Sequence, residues 1–295
     1  MAEHRKKSVV ITGASSGIGR ASVVRMVADG WQVFATVRKP ADGEKLRADF
    51  PQNLVPLILD VRDRAAISSA AAAVSSQLDG RGLDGLVNVA GVGVIRPVEY
   101  VSPEDLRDSF EINVFGQIEV TAAFLPSIRQ ANGRIVNISS VGAHFGIPFG
   151  GLLNGSKAAF GLLSDAMRLE LRPFGIAVST IEPASIRTPA VDKTLGDVEG
   201  VIRRLPARGA EEYGGMLRAA NKRAYEKEMK GSPPDVVARA VHHALTAEHP
   251  RARYRVGKGS LLLSVLPLIL PDRLLDGLLM RIFGLPTRFG ALSAG

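Results

Sequence analysis

The chain has 295 residues, 46% of them hydrophobic, which is enough to bury the core of one large domain but short for two. It has no cysteine, which excludes a disulfide framework, a zinc-thiolate centre and a thiol nucleophile, and fits a cytoplasmic setting. A net charge of +8 suits nucleotides or acidic headgroups as partners, whereas nucleic acid is disfavoured because only 5% of the chain is aromatic and the basic residues are scattered.

Taken in chain order, the basic N-terminus runs straight into a short strand at 8–12, with no apolar stretch ending in a cleavage site, so no secretory signal is expected. Further β-rich apolar runs at 31–37, 54–59, 83–89, 134–139, 176–182 and 252–256 alternate with helical stretches. Their hydrophobicity is continuous rather than alternating, as in strands covered by helices on both faces. This predicts an α/β fold with one doubly wound parallel sheet over 1–259. The segment 186–232, rich in Arg, Gly and Glu, breaks the rhythm beyond a strand's carboxyl end, where it suits a mobile substrate lid or an ordinary surface helix pair with loops. Another helix begins at about 233 with SPPDVVARAVHHAL.

Residues 260–295 form a C-terminal extension. Its first part, LLLSVLPLIL at 261–270, is too short to span a bilayer and is broken by Pro267. After it Leu274, Leu275, Leu278, Leu279, Ile282 and Phe283 recur at helical spacing opposite Arg273, Asp276 and Arg281, which predicts an amphipathic helix. Two placements stay open: packing on the body or on a partner subunit, or peripheral contact with a membrane through Arg273, Arg281 and Arg288.

Between the first strand and the first helix stands Thr12-Gly13-Ala14-Ser15-Ser16-Gly17-Ile18-Gly19. Glycines there let the backbone approach a pyrophosphate, and free amides at the helix start bind its charge. The spacing is G-x-x-x-G-x-G rather than G-x-G-x-x-G, so the turn alone is a weak signal. It is accompanied by Asp60-Val61, Asn88-Val89-Ala90-Gly91, Asn113, Ser140, Lys157 and Glu182-Pro183, each following a strand or lying on a long helix. In this order the landmarks resemble those of the short-chain dehydrogenase/reductase family over roughly residues 8–257. ATVRKPADGEKL at 35–46 is similar to the hydroxysteroid and retinol dehydrogenase branch.

The resemblance implies a Rossmann-type fold binding a nicotinamide dinucleotide, with the turn from Gly13 to Gly19 on the pyrophosphate and Asp60 and Val61 on the adenine. It places Asn88, Ala90 and Gly91 along the adenosine and ribose path, Pro183 beside the cofactor and Lys157 on the nicotinamide ribose. NAD-preferring relatives usually carry an acidic residue after the second strand, where this chain has Val37-Arg38. Arg38 presents a planar fork of donors for a 2′-phosphate and Ser15 adds a hydroxyl, so NADP(H) is the expected cofactor. No metal ligand set is expected.

The family's catalytic group pairs a tyrosine with a serine and a lysine, the ammonium drawing the phenol's pKa towards working pH. By this resemblance Ser140 orients the substrate oxygen and Asn113 holds a water linking Lys157 to solvent. The tyrosine's place, thirteen after Ser140 and four before Lys157, is occupied by Leu153, which can neither give nor take a proton. Three readings stay open: a reductase altered at one position, an enzyme whose acid has moved to His144, or a nucleotide-binding protein without redox turnover. Val92, Phe145, Phe149 and Leu153, with His144, give an apolar substrate wall suited to a steroid, retinoid or lipid-like carbonyl. The resemblance also implies a homodimer or homotetramer built on the helices that carry Asn113 and Lys157.

Overall fold

Seven parallel strands form one sheet in the order β3-β2-β1-β4-β5-β6-β7, in a computed structural model that describes residues 6–288. The strands are β1 (Ser8–Ile11), β2 (Gln32–Val37), β3 (Leu54–Ile58), β4 (Gly85–Asn88), β5 (Arg134–Ile138), β6 (Ala177–Pro183) and β7 (Arg253–Val256), each inside a run expected from its apolar sequence. The order reverses direction between β1 and β4. A parallel sheet that winds outwards from such a switch point leaves a crevice at the strands' carboxyl ends, where ligands bind.

Helices cover both faces, as the continuous hydrophobicity requires. One layer is built from α1 (Gly17–Ala28), α2 (Pro40–Asp49) and, from the far end of the chain, α10 (Asp235–Thr246). The other is built from α3 (Arg64–Leu78), α4 (Pro103–Phe110), α5 (Gly116–Ala131) and α6 (Gly151–Leu171). Val9, Ile11 and Val33 face the first layer, while their neighbours Val10 and Phe34 face the second, the two-residue alternation of a strand buried on both sides. A π turn at Glu111–Phe115 joins α4 to α5 and brings Asn113 inwards.

The segment after β6 is helical rather than loop-rich: α7 (Pro189–Leu195), α8 (Val198–Arg203) and α9 (Ala207–Met229). The extension folds as α11 (Ser260–Ile269) and α12 (Asp272–Phe283). Pro267 lies inside α11 near its end, where one missing backbone donor costs little of a ten-residue helix. The amphipathic helix packs on the body: Leu279 and Phe283 are buried against Ala220 and Ala224 of α9. No described helix is long and apolar enough to cross a membrane. Residues 1–5, part of the scattered basic set, and 289–295 of the extension lie outside the described residues.

Candidate active site

Each landmark stands at the carboxyl end of a strand. At the end of β1 Thr12 Oγ1 accepts the amides of Val89 and Ala90 at 2.8 and 3.1 Å, locking the glycine turn to the loop after β4. The turn admits no substituent at its centre: a Cβ on Gly19 would lie 2.2 Å from the Gly13 carbonyl oxygen, and Gly17 sits at φ +55°. Ser16 caps α1 with extended backbone but makes no side-chain cap bond, which leaves the helix's first amides directed at the space in front of them.

That space is a cleft of about 410 Å³. Gly13, Ser15, Ser16, Gly17, Ile18 and Gly19 line one end, Arg38, Asp60 and Val61 the side, and Ala90, Gly91 and Val92 the other end. The Arg62 side chain, donating to both carboxylate oxygens of Asp60, holds that carboxyl below its ordinary range, and Arg38 adds to the effect. Glycine turn, helix start, length and a cation beside a carboxylate together fit a dinucleotide.

Two assignments to this cleft are corrected. The Asn88 side chain does not face it; its amide donates to Thr121 Oγ1 and Asn137 Oδ1, both at 2.9 Å, within the buried layer beneath. Pro183 is buried at the end of β6 and is not part of the lining. Four lining residues had no sequence signal beyond a Thr-Pro helix start: Thr188, Ala190, Lys193 and Thr194. They belong to α7 and its cap, which close over Gly17 and Gly93. The lid expected over the substrate therefore covers the cofactor cleft.

At the nicotinamide end, side chains tie α6 to the serine loop. Lys157 is buried, and its Nζ donates to the Ile138 carbonyl at 2.9 Å beside Gly91. Burial lowers its pKa to about 8, because the charged form loses water without gaining a carboxylate. Ser139 Oγ donates to the Lys157 carbonyl at 3.0 Å, and Asn154 Nδ2 donates to the carbonyls of Gly142 and Phe145 at 2.7 and 2.9 Å. Ser140 Oγ accepts the Gly142 amide at 3.0 Å, which leaves its own hydrogen free to donate. The Asn113 amide is wholly committed, to the Val92 carbonyl and to Ser156 Oγ, both at 2.9 Å, so the water role falls to its main chain.

Leu153 stands in register on the first turn of α6, partly exposed, and no other phenol replaces the missing one. Tyr100 and Tyr213 pack edge to face, and the Tyr213 hydroxyl donates to Glu99 at 2.9 Å, an acceptor that pushes its pKa up and away from working pH. His144 is committed as well. Its Nε2 lies 2.9 Å from Glu182 Oε1, a fully buried carboxylate that also pairs with Arg253 and Arg255. The apolar wall does assemble: Phe145 and Phe149 meet Leu275, Leu279 and Phe283 of the extension, and Phe149 is held at φ +64°, its carbonyl accepting from the Arg96 amide.

A family model described as short chain dehydrogenase matches residues 7–198. The chain is 35% identical to human retinol dehydrogenase 5 over 289 residues, covering 95% of this chain and 90% of that one. It is 32% identical to an NADPH-dependent 3-dehydrocapnine reductase of Ornithobacterium rhinotracheale over 272 residues, covering 90% and 94%. Among solved structures, a short-chain dehydrogenase from Streptomyces avermitilis superposes with a TM-score of 0.74 at 29% identity, covering 90% of this chain and 93% of that one.

Proposed function

The chain belongs to the short-chain dehydrogenase/reductase family, in its hydroxysteroid and retinol dehydrogenase branch, and from that premise we propose an NADP(H)-dependent oxidoreductase slowed by Leu153. Its substrate is a carbonyl or alcohol on an apolar steroid, retinoid or lipid-like molecule. The observation that carries this reading is the continuous cleft from Gly13 to Val92, with the buried Lys157 ammonium beside Gly91.

The cofactor, when bound, supplies or accepts the hydride. The glycine turn and the start of α1 would hold its pyrophosphate, Asp60 and Val61 its adenine, and Lys157 its nicotinamide ribose. Arg38 is exposed at the cleft with no acidic neighbour at position 37 to repel a 2′-phosphate, which supports NADP(H) over NAD(H). Ser140 has a free donor for a substrate oxygen. With leucine at 153, the protein's nearby proton sources are that hydroxyl and the Lys157 ammonium. Lys157 keeps its proton at neutral pH and is held by Ile138 rather than by a phenol. His144 is a poorer candidate, since Glu182 engages its ring. A second reading, nucleotide binding without turnover, is favoured by Leu153 itself. Exposed Phe115, Leu162, Leu169 and Phe174 along the Asn113 and Lys157 helices support a homodimer through that face.

Both readings meet in one experiment on the full chain. NADPH binding is followed by fluorescence, and reduction of retinal and of ketosteroids is compared between the parent and Leu153→Tyr. Tight binding with turnover that rises in the variant supports the slowed reductase. Tight binding with no turnover in either protein supports the binding protein.

A further inference from the structure

The extension leaves one face without a partner in the fold. Leu261, Leu262, Leu268 and Ile269 of α11 are exposed, Leu268 by 74%, and Leu274, Leu278 and Ile282 of α12 continue the apolar surface. The opposite sides of these helices are satisfied. Ser264 is buried and bonded to the Ser260 carbonyl, and Leu279 and Phe283 lie in the cluster that includes Phe145 and Phe149. A contiguous stretch of seven bare aliphatic side chains is more than scattered surface leucines amount to.

Beside this face lies a recess of about 480 Å³ lined by Arg223, Lys227, Lys230 and Lys258, with Glu226 as its one carboxylate, and with Ser185, Gly231 and Ile282. Ile282 belongs to both features, so the recess opens at the edge of the apolar face. Arg223 donates to the carbonyls of Arg281 and Ile282 at the end of α12 rather than to a carboxylate. Glu228, the neighbouring acid, is turned away to Ser185 at 2.8 Å. Four cations thus converge against one acid, and two further arginines, Arg273 and Arg281, are exposed on α12 beside Asp272 and Asp276.

We propose that this is a docking site for an anionic lipid bilayer. The leucine face of α11 and α12 lies in the plane of the interface, and the Arg223/Lys227/Lys230/Lys258 recess takes a phosphate-bearing headgroup. A helix that is apolar on one side and cationic at its rim binds an interface through buried area and through attraction to acidic lipid, without crossing the bilayer. A second copy of the chain is a poorer occupant. A two-fold contact on this face would bring two such basic rims together on a chain that already carries a net charge of +8. The site is independent of the redox chemistry, because none of its side chains lines the cofactor cleft.

The test is flotation of the full-length protein with vesicles of phosphatidylcholine alone or with 30% phosphatidylglycerol, at 0.1 and 0.5 M salt, with and without 50 mM inorganic phosphate. NADPH binding and sedimentation mass are measured alongside. The expected result is recovery with the acidic vesicles at least tenfold above pure phosphatidylcholine, and loss of most of that difference at high salt. Each basic residue near an acidic surface contributes roughly fivefold, so Lys227→Glu/Lys230→Glu/Lys258→Glu should lower recovery by well over tenfold. Leu268→Ser/Ile269→Ser should lower it on acidic vesicles with NADPH binding retained. Equal recovery on the two vesicle types overturns the proposal. So does a Leu268→Ser/Ile269→Ser protein that keeps full vesicle binding and halves its sedimentation mass, which assigns the face to a second copy. Recess variants that lose competition by inorganic phosphate but keep vesicle binding assign the recess to free phosphate and overturn it too.

Discussion

The two ends of the site contrast. At the glycine-turn end every group the chemistry needs is in place and held by backbone: Thr12 pins two amides, Gly19 cannot carry a side chain, and α7 covers the turn. At the α6 end the scaffold is equally well made, with Asn154, Ser139 and Ser156 all bonded, yet the side chain that should exchange the proton is aliphatic. Positioning and proton transfer are therefore separable in this fold. A leucine sits at position 153 without disturbing the hydrogen bonds around it, because those bonds use the backbone and neighbouring side chains rather than residue 153's own.

The largest expected effect comes from restoring the weaker end. A positioned acid is worth about 100- to 10,000-fold in rate, so Leu153→Tyr should raise kcat for retinal or ketosteroid reduction by that range with NADPH affinity unchanged. Unchanged kcat would mean that the α6 end is not built for redox chemistry.

Next is the pH dependence set by Lys157. Its folded pKa, about 8, lies below that of the unfolded chain, near 10.5, so the unfolded state binds more protons between those values and stability rises with pH across that window. Below pH 8 the buried charge costs on the order of 3 kcal/mol relative to strongly alkaline conditions. Urea unfolding of the cofactor-free protein from pH 7 to 10.5 should show this rise, and Lys157→Met should flatten it. An equally steep rise in the variant would place the titration elsewhere.

At the intact end, Arg38→Ala should weaken NADPH binding by about 10- to 100-fold, the worth of a charge-assisted fork on phosphate, while NADH binding stays within about threefold. Isothermal titration with both nucleotides separates this from general damage to the cleft, which would weaken both. The smallest effect is expected at His144. Replacing it by alanine leaves Glu182 its two arginines and costs about 1 kcal/mol of stability. Turnover of the Leu153→Tyr protein should change by less than about threefold, and its disappearance would make His144 part of the proton path.

Much of this contrast was legible in the sequence, and its limits have physical reasons. The strands could be read because a sheet covered on both faces leaves uninterrupted apolar runs, and the glycine turn because position 19 tolerates nothing else. Leu153 was found by counting from Ser140 and Lys157, since a rigid helix fixes that interval. What a sequence does not show is where a polar side chain turns. Asn88 follows a strand like any ligand-binding residue, yet Thr121 and Asn137 claim its amide in the layer below. His144 has the chemistry of an acid, but its partner, Glu182, is 38 residues away and comes near only when β5 and β6 pair. The Arg-rich segment hid the cleft-covering helix α7, since Lys193 and Thr194 reach the cleft through a crossover that no local pattern encodes.

One helix gives these separate features a common support. On α9, Asn221 donates to the Leu195 carbonyl and Tyr225 to Asp192, fastening α7, while Arg223 and Lys227, half a turn round, meet the tail and the basic recess. Residues two apart point to opposite sides of a helix, so this rod is clamped from both flanks along little more than one turn. Whatever factor one flank's ligand contributes to the other's residence, thermodynamics requires to be returned in equal measure, so the two dissociation constants are the place to look for communication across the molecule.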